Sequence, residues 1–469
     1  MFSPVYSRRV LEPAYRNWRT LYAVDLERIH RAHLVGLQRQ GIIGTDLARQ
    51  LACAIDSLAE DWSAPESVPP DVEDLYFLYE QALAAKVGPE GAAYLHTARS
   101  RNDMDTTAFR LVLRSRLAGV AGAALGLLEG LVRRSGQTPA VPIILYTHGQ
   151  PANVSTLGHY LSAFAEDLAD DIGQLLDAVG AVDRSTMGAC AITGTGFPLD
   201  RDLVSGLLGF ETPVTNTYRA ISTSHWLVKP AGAIADVMSD LTRLAADMSH
   251  KASCEVGVLT FPDNLVQISS IMPQKRNPVI LEHIRIQAGM VIGAMDSVRS
   301  LYRNVPYQDV NEAADAPVSM LASALDDAIS AMELVSEVVA SVGVDEDRVM
   351  QISRQYSVTS TELADTLVRE AGIGFRMAHG MVARFVRSGM RLEALAEDFV
   401  AATGRQFPFD QARLESILDP LHFVAVRETA GGPAPGGMAP VLGGLKLRLR
   451  KLLPDLMPCT KDMRVPKPR

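Results

Sequence analysis

The sequence has little cysteine, and it lacks any long run of uncharged apolar residues. The four cysteines are Cys53, Cys190, Cys254 and Cys459. They form no CxxC pair and lack metal-ligand spacing, so we expect no disulfide scaffold and no metal site, but buried free thiols in a reducing compartment. No uncharged apolar stretch of about 18 residues occurs, and no apolar run follows the first arginines, so we expect neither a membrane span nor a signal peptide. These absences predict a soluble, cytoplasmic protein.

Basic residues are also fewer than acidic residues. The chain has 45 Lys and Arg against 54 Asp and Glu, for a net charge of −9. This balance argues against a general affinity for nucleic acid or for a membrane surface, although it allows a local basic pocket for a dicarboxylate. The basic residues within 446–451 are interpreted as the solvated face of a last helix. We therefore expect no nucleic acid and no membrane among the partners.

Helical periodicity is what the chain has in abundance. Apolar residues at steps of three and four run from Leu157 to Val179, directly after Ser155 and Thr156. Similar stripes cover residues 281–298 and 321–339, and residues 104–134 are rich in Leu, Ala and Arg. Strand-like patterns are confined to residues 141–146 and 255–260. The sequence predicts a mainly α protein with three or four long helices in the middle.

Turn signals divide the chain into three segments. The first has shorter helical patterns broken by prolines, and residues 342–345 and 356–359 mark the exit from the long helices. We predict a central long-helix bundle between two smaller helical domains, with the boundaries 1–103, 104–350 and 351–469. In the last domain, residues 361–370 and 375–388 predict a helix pair, and residues 431–437 predict a glycine-rich loop.

The long helices bear on assembly as well. Apolar faces this continuous can bury more than one side, so we expect the bundle to pack against copies of itself as a homo-oligomer. The alternative, a monomer whose outer domains cover the bundle, stays open on periodicity alone.

The densest polar segment is residues 269–278, which carries Ser269, Ser270, Lys275 and Asn277 in a loop with two prolines. Asn277 followed by Pro278 predicts a helix start, because Asn caps free N–H groups and Pro is preset for the first turn. The loop would then bring a hydroxyl, a cation and an amide to the positive end of a helix. This is the pattern of an active-site loop.

Three further segments are unusually polar: residues 96–103, residues 146–152 and the turn at residues 193–196. Ser100, Arg101 and Asn102 precede a long helix and could hold an anion at its positive end. Residues 146–152 are likewise predicted to lie just before a helix. Taken singly, each segment is explained by ordinary capping and turn chemistry. Together with residues 269–278 they point to one active site.

These segments carry a family resemblance. Residues 95–103, 146–152, 191–198 and 269–278 resemble the aspartase/fumarase superfamily, and within it argininosuccinate lyase most closely. Short matches at residues 73–75, 375–379 and 422–424 extend the likeness over nearly the whole chain. The resemblance implies a three-domain, mainly α-helical protomer whose central helices assemble into a homotetramer with a twenty-helix core. It also implies that each active site collects loops from three subunits.

The resemblance implies a reaction, the elimination of fumarate from an N-substituted aspartate. A C–H next to a carboxylate is a very weak acid, so the dianionic intermediate must be held by preorganised donors. By resemblance Ser270 is the general base, activated by Lys275 and loop N–H groups, and His148 donates or relays a proton to the leaving nitrogen. The substrate-binding residues would be Ser100, Arg101, Asn102, Thr147, Gln150, Asn277, Tyr307 and Asn311. No cofactor and no metal is required.

The chain departs from the family pattern at several positions. Ile268 stands where a Gly usually precedes the two serines, Ala98 replaces a Gly, and Tyr76 occupies the place of a His. In residues 303–315, Asn311 and Ala314 replace a Gln and a Lys that hold the amino-acid end of the substrate. Loss of such a Lys removes a contact worth about 1.5–3 kcal/mol. The succinyl side of the pocket looks intact, whereas the amine side has changed.

Four readings of function follow. The first is a carbon–nitrogen lyase that acts on argininosuccinate. The second is a relative acting on another N-succinyl amino compound, as ethylenediamine-disuccinate lyase does, and the third is the reverse addition of an amine to fumarate in a specialised pathway. The fourth, of another class, is a catalytically silent structural protein on the same fold, as lens crystallins are. Retention of Ser270, Lys275, Asn277 and His148 argues against the silent protein.

Overall fold

The computed structural model describes residues 2–69 and 72–456. The first part of the chain is helical, and π-helical turns at Ser7–Leu11 and Trp18–Tyr22 connect its first three helices. These N-terminal helices are α1 (Pro4–Tyr6), α2 (Glu12–Asn17), α3 (Ala23–Arg39), α4 (Thr45–Asp61), α5 (Leu75–Val87) and α6 (Pro89–Tyr94).

Long helices make up the centre of the molecule. In chain order the central elements are α7 (Arg101–Gln137), β1 (Pro142–Thr147), β2 (Gln150–Thr156), α8 (Leu157–Val182), β3 (Arg184–Ser185), α9 (Arg201–Leu207), β4 (Thr212–Pro213), α10 (Thr217–Ser222), α11 (His225–Lys251), β5 (Leu259–Thr260), β6 (Gln267–Ile268), β7 (Arg276–Asn277), α12 (Ile280–Leu301), α13 (Asp315–Ser341) and β8 (Gly343–Val344). Short 3₁₀ turns lie at Asp263–Leu265 and Asn311–Ala313. The mainly α class is confirmed.

The chain closes with α14 (Glu346–Gln355), α15 (Ser360–Ala371), α16 (Phe375–Arg387), α17 (Leu392–Thr403), α18 (Gln411–Leu418), α19 (Pro420–Ala425) and α20 (Pro435–Leu456). The predicted helix pair is confirmed as α15 and α16. The predicted glycine-rich loop is only half right, because α20 already begins at Pro435, a residue preset for a first helical turn. Helix α20 packs on α7 and α8.

The bundle consists of α7, α8, α11, α12 and α13, one long helix more than the sequence predicted. In α12 the buried residues are the predicted stripe: Leu281, Ile284, Ala288, Val291, Met295 and Val298. Helix α11 was missed because Pro230 lies inside it and reads as a break. By composition α7 is apolar enough to cross a membrane, but 67% of its most apolar window is buried within the protein, as expected of a core helix.

The bundle has two distinct ends, which the contacts between helix termini define. At the start of α7, Thr107 Oγ1 lies 2.7 Å from Thr186 Oγ1, just after α8 ends. At the finish of α7, Gly158 N in the first turn of α8 donates to Thr138 O at 3.0 Å. Arg134 donates to Val342 O at 2.7 Å, which places the finish of α13 there too. We call the end of the bundle at the start of α7 the Ser100 end. The end at the finish of α7, next to β1 and β2, is called the hairpin end.

Strands are short and paired in twos. At the hairpin end β1 and β2 form an antiparallel hairpin, and β5 pairs with β8. The prediction of a strand at residues 141–146 is confirmed by β1, whereas most of residues 255–260 lies outside strands. The pairs β3–β4 and β6–β7 fasten loops around the bundle.

Apolar clusters follow this layout. One large cluster runs through the long helices and takes in Tyr15, Trp18 and Tyr22 from the N-terminal helices and Leu445 from α20. Three smaller clusters lie within residues 34–98, 189–221 and 363–417. Contacts of the large cluster therefore cross both predicted domain boundaries, and the division into three domains stays a prediction.

The expectation of buried thiols is wrong for the described residues. Cys53 and Cys254 are exposed and Cys190 is half-buried, all three as free thiols. Cys53 lies on the outer face of the amphipathic helix α4, so helical register rather than residue type sets its exposure. Cys459 lies outside the described residues.

Candidate active site

Ser100 is the N-cap of α7, and it forms a capping box with Asp103. Ser100 N donates to Asp103 Oδ1 at 2.9 Å, and Ser100 Oγ donates to Asn102 Oδ1 at 2.6 Å. Asp103 Oδ2 accepts from the N–H groups of Gly188 at 2.8 Å and Cys190 at 2.9 Å. Burial raises the pKa of Asp103, although these N–H groups oppose the shift. Asp103 thus fastens residues 188–190 to the start of α7, and Gly194 N, in the predicted turn, donates to Ala189 O of that segment at 2.9 Å.

Arg101 is engaged within its own chain. Its guanidinium pairs with Asp74 and with Asp105, the latter at 3.1 Å, and lies 5.0 Å from the centre of the Tyr76 ring. Burial alone would lower the pKa of Arg101, but Asp105 and Asp74 raise it. Burial raises the pKa of Asp105 to about 6. Arg101 therefore already holds two carboxylates and would have to exchange one to bind a substrate anion.

Tyr76, at the position where the family has a His, joins a histidine. Its hydroxyl lies 2.6 Å from His96 Nδ1 and donates to Glu80 at 3.1 Å. Burial raises the pKa of Tyr76 to about 12, so its hydroxyl stays protonated. The substitution preserves a polar link between α5 and the segment that leads into Ser100.

Residues 303–315 lie beside Ser100. Asn102 Nδ2 donates to Asp309, and the Tyr218 hydroxyl donates to the carbonyl of Tyr307. The rings of Tyr218 and Tyr307 meet edge-on with centroids 5.4 Å apart. Asn311 starts a 3₁₀ turn and is exposed. Asp309 and Tyr218 were not predicted, because Asp309 was not among the positions singled out within residues 303–315 and Tyr218 lies outside the polar segments.

His148 occupies the tip of the β1–β2 hairpin. Thr147 pairs with Gln150, and between them His148 (φ 53°) and Gly149 (φ 75°) make a two-residue turn with both residues left-handed. The four residues at this tip, Thr147 to Gln150, are all exposed. Residues 146–152 precede α8 in the chain, as predicted, but residues 150–156 pair with β1, so extended chain separates the tip at His148 from the start of α8. Thr156, not His148, caps α8.

Ser270 and Lys275 lie on a second hairpin tip, between β6 and β7, and both are exposed. Ser269 Oγ accepts from the N–H groups of Met272 at 3.0 Å and Ile271 at 3.4 Å, which fixes the turn. Lys275 N donates to Met272 O at 3.0 Å. The Ser270 hydroxyl is thereby presented to the outside on an ordered turn.

The predicted helix cap at Asn277 is wrong. Asn277 lies in β7, and its Nδ2 donates to Gln267 O at 3.2 Å. Because strand pairing keeps residues 276–277 extended, α12 begins only at Ile280, after Val279 as its N-cap residue. Activation of Ser270 by the dipole of α12 is weakened accordingly, since that effect falls off within the first turn.

Within one chain, Ser100 lies far from His148 and from the loop that carries Ser270. Helix α7 has 37 residues and is therefore about 55 Å long. Ser100 lies at its start, whereas β1 begins just past its finish and is six residues long, a reach of about 20 Å. Ser100 and His148 of one chain are thus separated by roughly 30 Å or more. Loop 269–275 joins β6 to β7. Arg276, in β7, donates to the carbonyl of Phe261 at 3.0 Å, directly after β5, and β5 pairs with β8 beside the finish of α13, so the loop also lies at the hairpin end.

Backbone strain marks the same segments. Among the described residues other than glycine, six have positive φ, and four of them belong to the polar segments or their flanks: Ala98, His148, Cys190 and Ile192. A β-branched residue at φ 78°, as at Ile192, is a genuine outlier, and such strain concentrates at functional sites. Ala98 has φ 60°, which explains why a Gly suits this position.

Comparisons with known proteins give the family. Residues 26–293 match the family described as lyase, and residues 357–425 match the argininosuccinate lyase C-terminal family. The chain is 39% identical to argininosuccinate lyase 2 of Agrobacterium fabrum, covering 93% of this chain and 88% of the relative. It is 31% identical to argininosuccinate lyase of Methanothermobacter thermautotrophicus, covering 88% and 90%.

Solved structures show the same fold. The crystal structure of EDDS lyase in complex with formate superposes with a TM-score of 0.82 at 28% identity, covering 96% of this chain and 93% of that one. The resemblance seen in the sequence is confirmed. This chain belongs to the argininosuccinate lyase branch of the aspartase/fumarase superfamily and is a carbon–nitrogen lyase.

Proposed function

We propose that the protein eliminates fumarate from an N-substituted aspartate, with argininosuccinate as the first candidate substrate, and that it works in the cytoplasm. The observation that carries this proposal is the exposed, ordered tip that presents Ser270 and Lys275. Relatives named argininosuccinate lyase and an EDDS lyase variant with bound fumarate support the same chemistry.

The elimination needs three roles. Ser270 Oγ takes the proton from the carbon next to a carboxylate, and the electron pair moves into that carboxylate to form a dianion. Lys275 and the free N–H of the Asn277 amide stabilise this charge as it develops. The dianion then expels the amine, and His148 supplies a proton to the departing nitrogen. Fumarate and the amine leave as products.

The binding role falls to the Ser100 end. Ser100, Arg101 and Asn102 lie at the positive end of α7 and would receive a carboxylate. Tyr307 and Asn311, close to Asp309 in the chain, would contact the amine part of the substrate. Thr147 and Gln150 flank His148 at the hairpin tip and would contact the substrate from the opposite end.

The separation within one chain supports a shared site. Because the Ser100 end and the hairpin end lie about one bundle length apart, a complete site needs the Ser100 end of one copy at the hairpin end of another. Ile286 and Met290 on α12 are 54% and 66% exposed and, four residues apart, form an apolar strip next to Gly289 and Gly293. Such a strip suits close packing against another helix. We propose a homotetramer with three copies at each site.

A second candidate function is favoured by Ala314 and Asn311. Ala314 lies at the start of α13 and offers no cation for an amino-acid carboxylate, while Asp309 nearby is negative. A different aminosuccinate, whose amine part carries positive charge and no carboxylate, fits these residues better than it fits the family pattern. Formation of such a compound by amine addition to fumarate is the same reaction in reverse.

A substrate panel tests the proposal. Purified protein is given argininosuccinate and several N-succinyl amines with and without a second carboxylate, and fumarate release is followed by absorbance and products by mass spectrometry. Turnover of argininosuccinate supports the first candidate, and turnover only of compounds without the amino-acid carboxylate supports the second. No fumarate from any compound, nor adduct from fumarate and amines, would leave the silent structural protein as the remaining reading.

A further inference from the structure

Arg110, on α7, is a buried cation without a counter-ion. Its side chain is 1% exposed, and its Nη1 donates only to the carbonyls of Ala181 at 3.1 Å and Val182 at 3.4 Å. Its Nε finds no acceptor, and its guanidinium lies 4.9 Å from the centre of the Trp226 ring. Within residues 2–69 and 72–456, no carboxylate pairs with Arg110.

The next arginine on the same helix face shows what is missing. Arg114 is equally buried, but its Nη1 reaches Asp183 at 2.6 Å as well as the carbonyl of Gly209. A buried charge normally needs such a partner, because removing a charge from water costs several kcal/mol. Arg114 thus has a carboxylate partner, whereas Arg110 has none among the described residues. A ligand can therefore compensate the charge of Arg110.

A cavity of about 370 Å³ opens beside Arg110, between the finish of α8, the β4 segment, α10 and the start of α11. Four cations and two carboxylates line it: Arg110, Arg184, Arg219, Lys229, Asp177 and Glu211. Arg184 and Arg219 form no ion pair with any described residue, whereas Lys229 lies 3.8 Å from Asp177. The cavity is therefore positive.

Two further features favour an anion here. Thr223, His225 and Trp226 line the cavity at the start of the 27-residue helix α11, whose dipole adds positive potential. Burial, with Arg219 and Arg184 nearby, lowers the pKa of Arg110 to about 9, so it stays charged at neutral pH. The local positive charges repel one another, and an anion bound in the cavity would relieve this repulsion.

We propose that this cavity is a second anion-binding site, which takes a small di- or trivalent anion with carboxylate or phosphate groups. The guanidinium of Arg110 contacts the anion from the bottom of the cavity, and Arg184 and Arg219 close over it from the exposed rim. The cavity volume suits a small metabolite. This proposal does not depend on which aminosuccinate the enzyme uses.

The test uses the assembled protein at constant ionic strength, with inorganic pyrophosphate, phosphate and fumarate as separate probes. Binding is measured by calorimetry and by the rise in Tm. We expect saturable binding of at least one probe, weakened about tenfold or more by Arg219→Gln and by Arg184→Gln, since each removes a charge-assisted contact. Arg243→Gln on the exposed face of α11 is the matched control and should leave binding unchanged. A preference for pyrophosphate assigns a phosphate ligand, and a preference for fumarate assigns a dicarboxylate.

Arg110→Met gives an independent measurement. Without anion this variant should match or exceed the wild-type Tm, because an apolar side chain of similar length removes an uncompensated charge. With anion it should lose the Tm rise that the wild type shows. Absence of saturable binding by all three probes, or binding that Arg219→Gln and Arg110→Met leave unchanged, would overturn the proposal.

Discussion

The two ends of the helical bundle treat their polar groups in opposite ways. At the Ser100 end the polar groups interact with one another. Ser100 donates a hydrogen bond to Asn102, Asn102 donates one to Asp309, and Arg101 forms ion pairs with two carboxylates. At the hairpin end His148, Ser270 and Lys275 lie exposed on short turns. The Ser100 end is therefore fixed by its own contacts, whereas the proposed catalytic groups at the hairpin end lie open, and in the proposed tetramer other copies would complete their surroundings.

The largest expected effect is at the hairpin end. Replacing Ser270→Ala should lower kcat by about 10²–10⁴-fold, because it removes the proposed base, and the assembly should stay intact because Ser270 is exposed. Steady-state fumarate release and size-exclusion chromatography measure the two properties. Ser341→Ala is the control, since that exposed hydroxyl only donates to Glu337 O of its own helix. A Ser270→Ala enzyme near the wild-type rate would mean that another group removes the proton.

Mixing variants tests whether the two ends meet between copies. Asn102→Ala damages the Ser100 end and Ser270→Ala damages the hairpin end, so each variant alone should be nearly inactive. Tetramers formed from both should regain activity, because some sites then combine an intact Ser100 end with an intact hairpin end. Mixing either variant with the double variant is the control and should restore nothing. Equal activity in both mixtures would contradict a site shared between copies.

The Ser100 end should weaken in acid. His33 Nε2 donates to Thr97 O at 2.8 Å, just before Ser100, and burial, with Arg99 nearby, lowers the pKa of His33 to about 3. Since the unfolded chain then binds more protons, the contribution of His33 to the free energy of unfolding falls as pH decreases from about 6.5 towards 3, by at most about 1.4 kcal/mol per pH unit. Urea unfolding between pH 7 and 4 measures this slope. His33→Gln keeps a donor for Thr97 and should flatten it; an unchanged slope would assign the effect elsewhere.

The amine side allows a sharper comparison. Ala314→Lys should raise kcat/KM for argininosuccinate relative to other N-succinyl amines by about tenfold or more, because it restores a cation for the amino-acid carboxylate. Ala316→Lys, at the exposed second residue of α13, is the control with the same added charge. Equal gains from both variants would mean general attraction of anions, and no gain from Ala314→Lys would show that this position does not face the amine part.

The smallest expected effect concerns strain at Ala98. Because Ala98 has φ 60°, Ala98→Gly should stabilise the protein by about 0.5–1 kcal/mol. Ala93→Gly, on the exposed face of α6, is the matched control and should destabilise by about 1 kcal/mol. The Tm of both variants measures these changes in stability. Destabilisation of similar size in both would mean that the left-handed backbone at Ala98 carries no strain.

Prediction from sequence succeeded where a local pattern suffices. Helices α8, α12 and α13 follow their apolar stripes, and Ser100 lies at a helix start as expected. It failed where partners distant in sequence compete with local preference. Asn277 pairs with β6 instead of capping α12, and residues 150–156 pair with β1 instead of forming a loop before α8. Helix α11 tolerates Pro230 because packing against α8 and α12 outweighs one missing hydrogen bond.

The sequence by itself determined the helical class, the faces that the long helices bury and the segments that carry reactive groups, because apolar spacing and turn residues act over a few positions. Only the tertiary structure decided that Ser100 and His148 lie at opposite ends of the bundle, that Arg101 is already paired and that Arg110 is not. These properties depend on which helix ends meet, and such meetings are set by contacts between residues far apart in the chain, which no local spacing records.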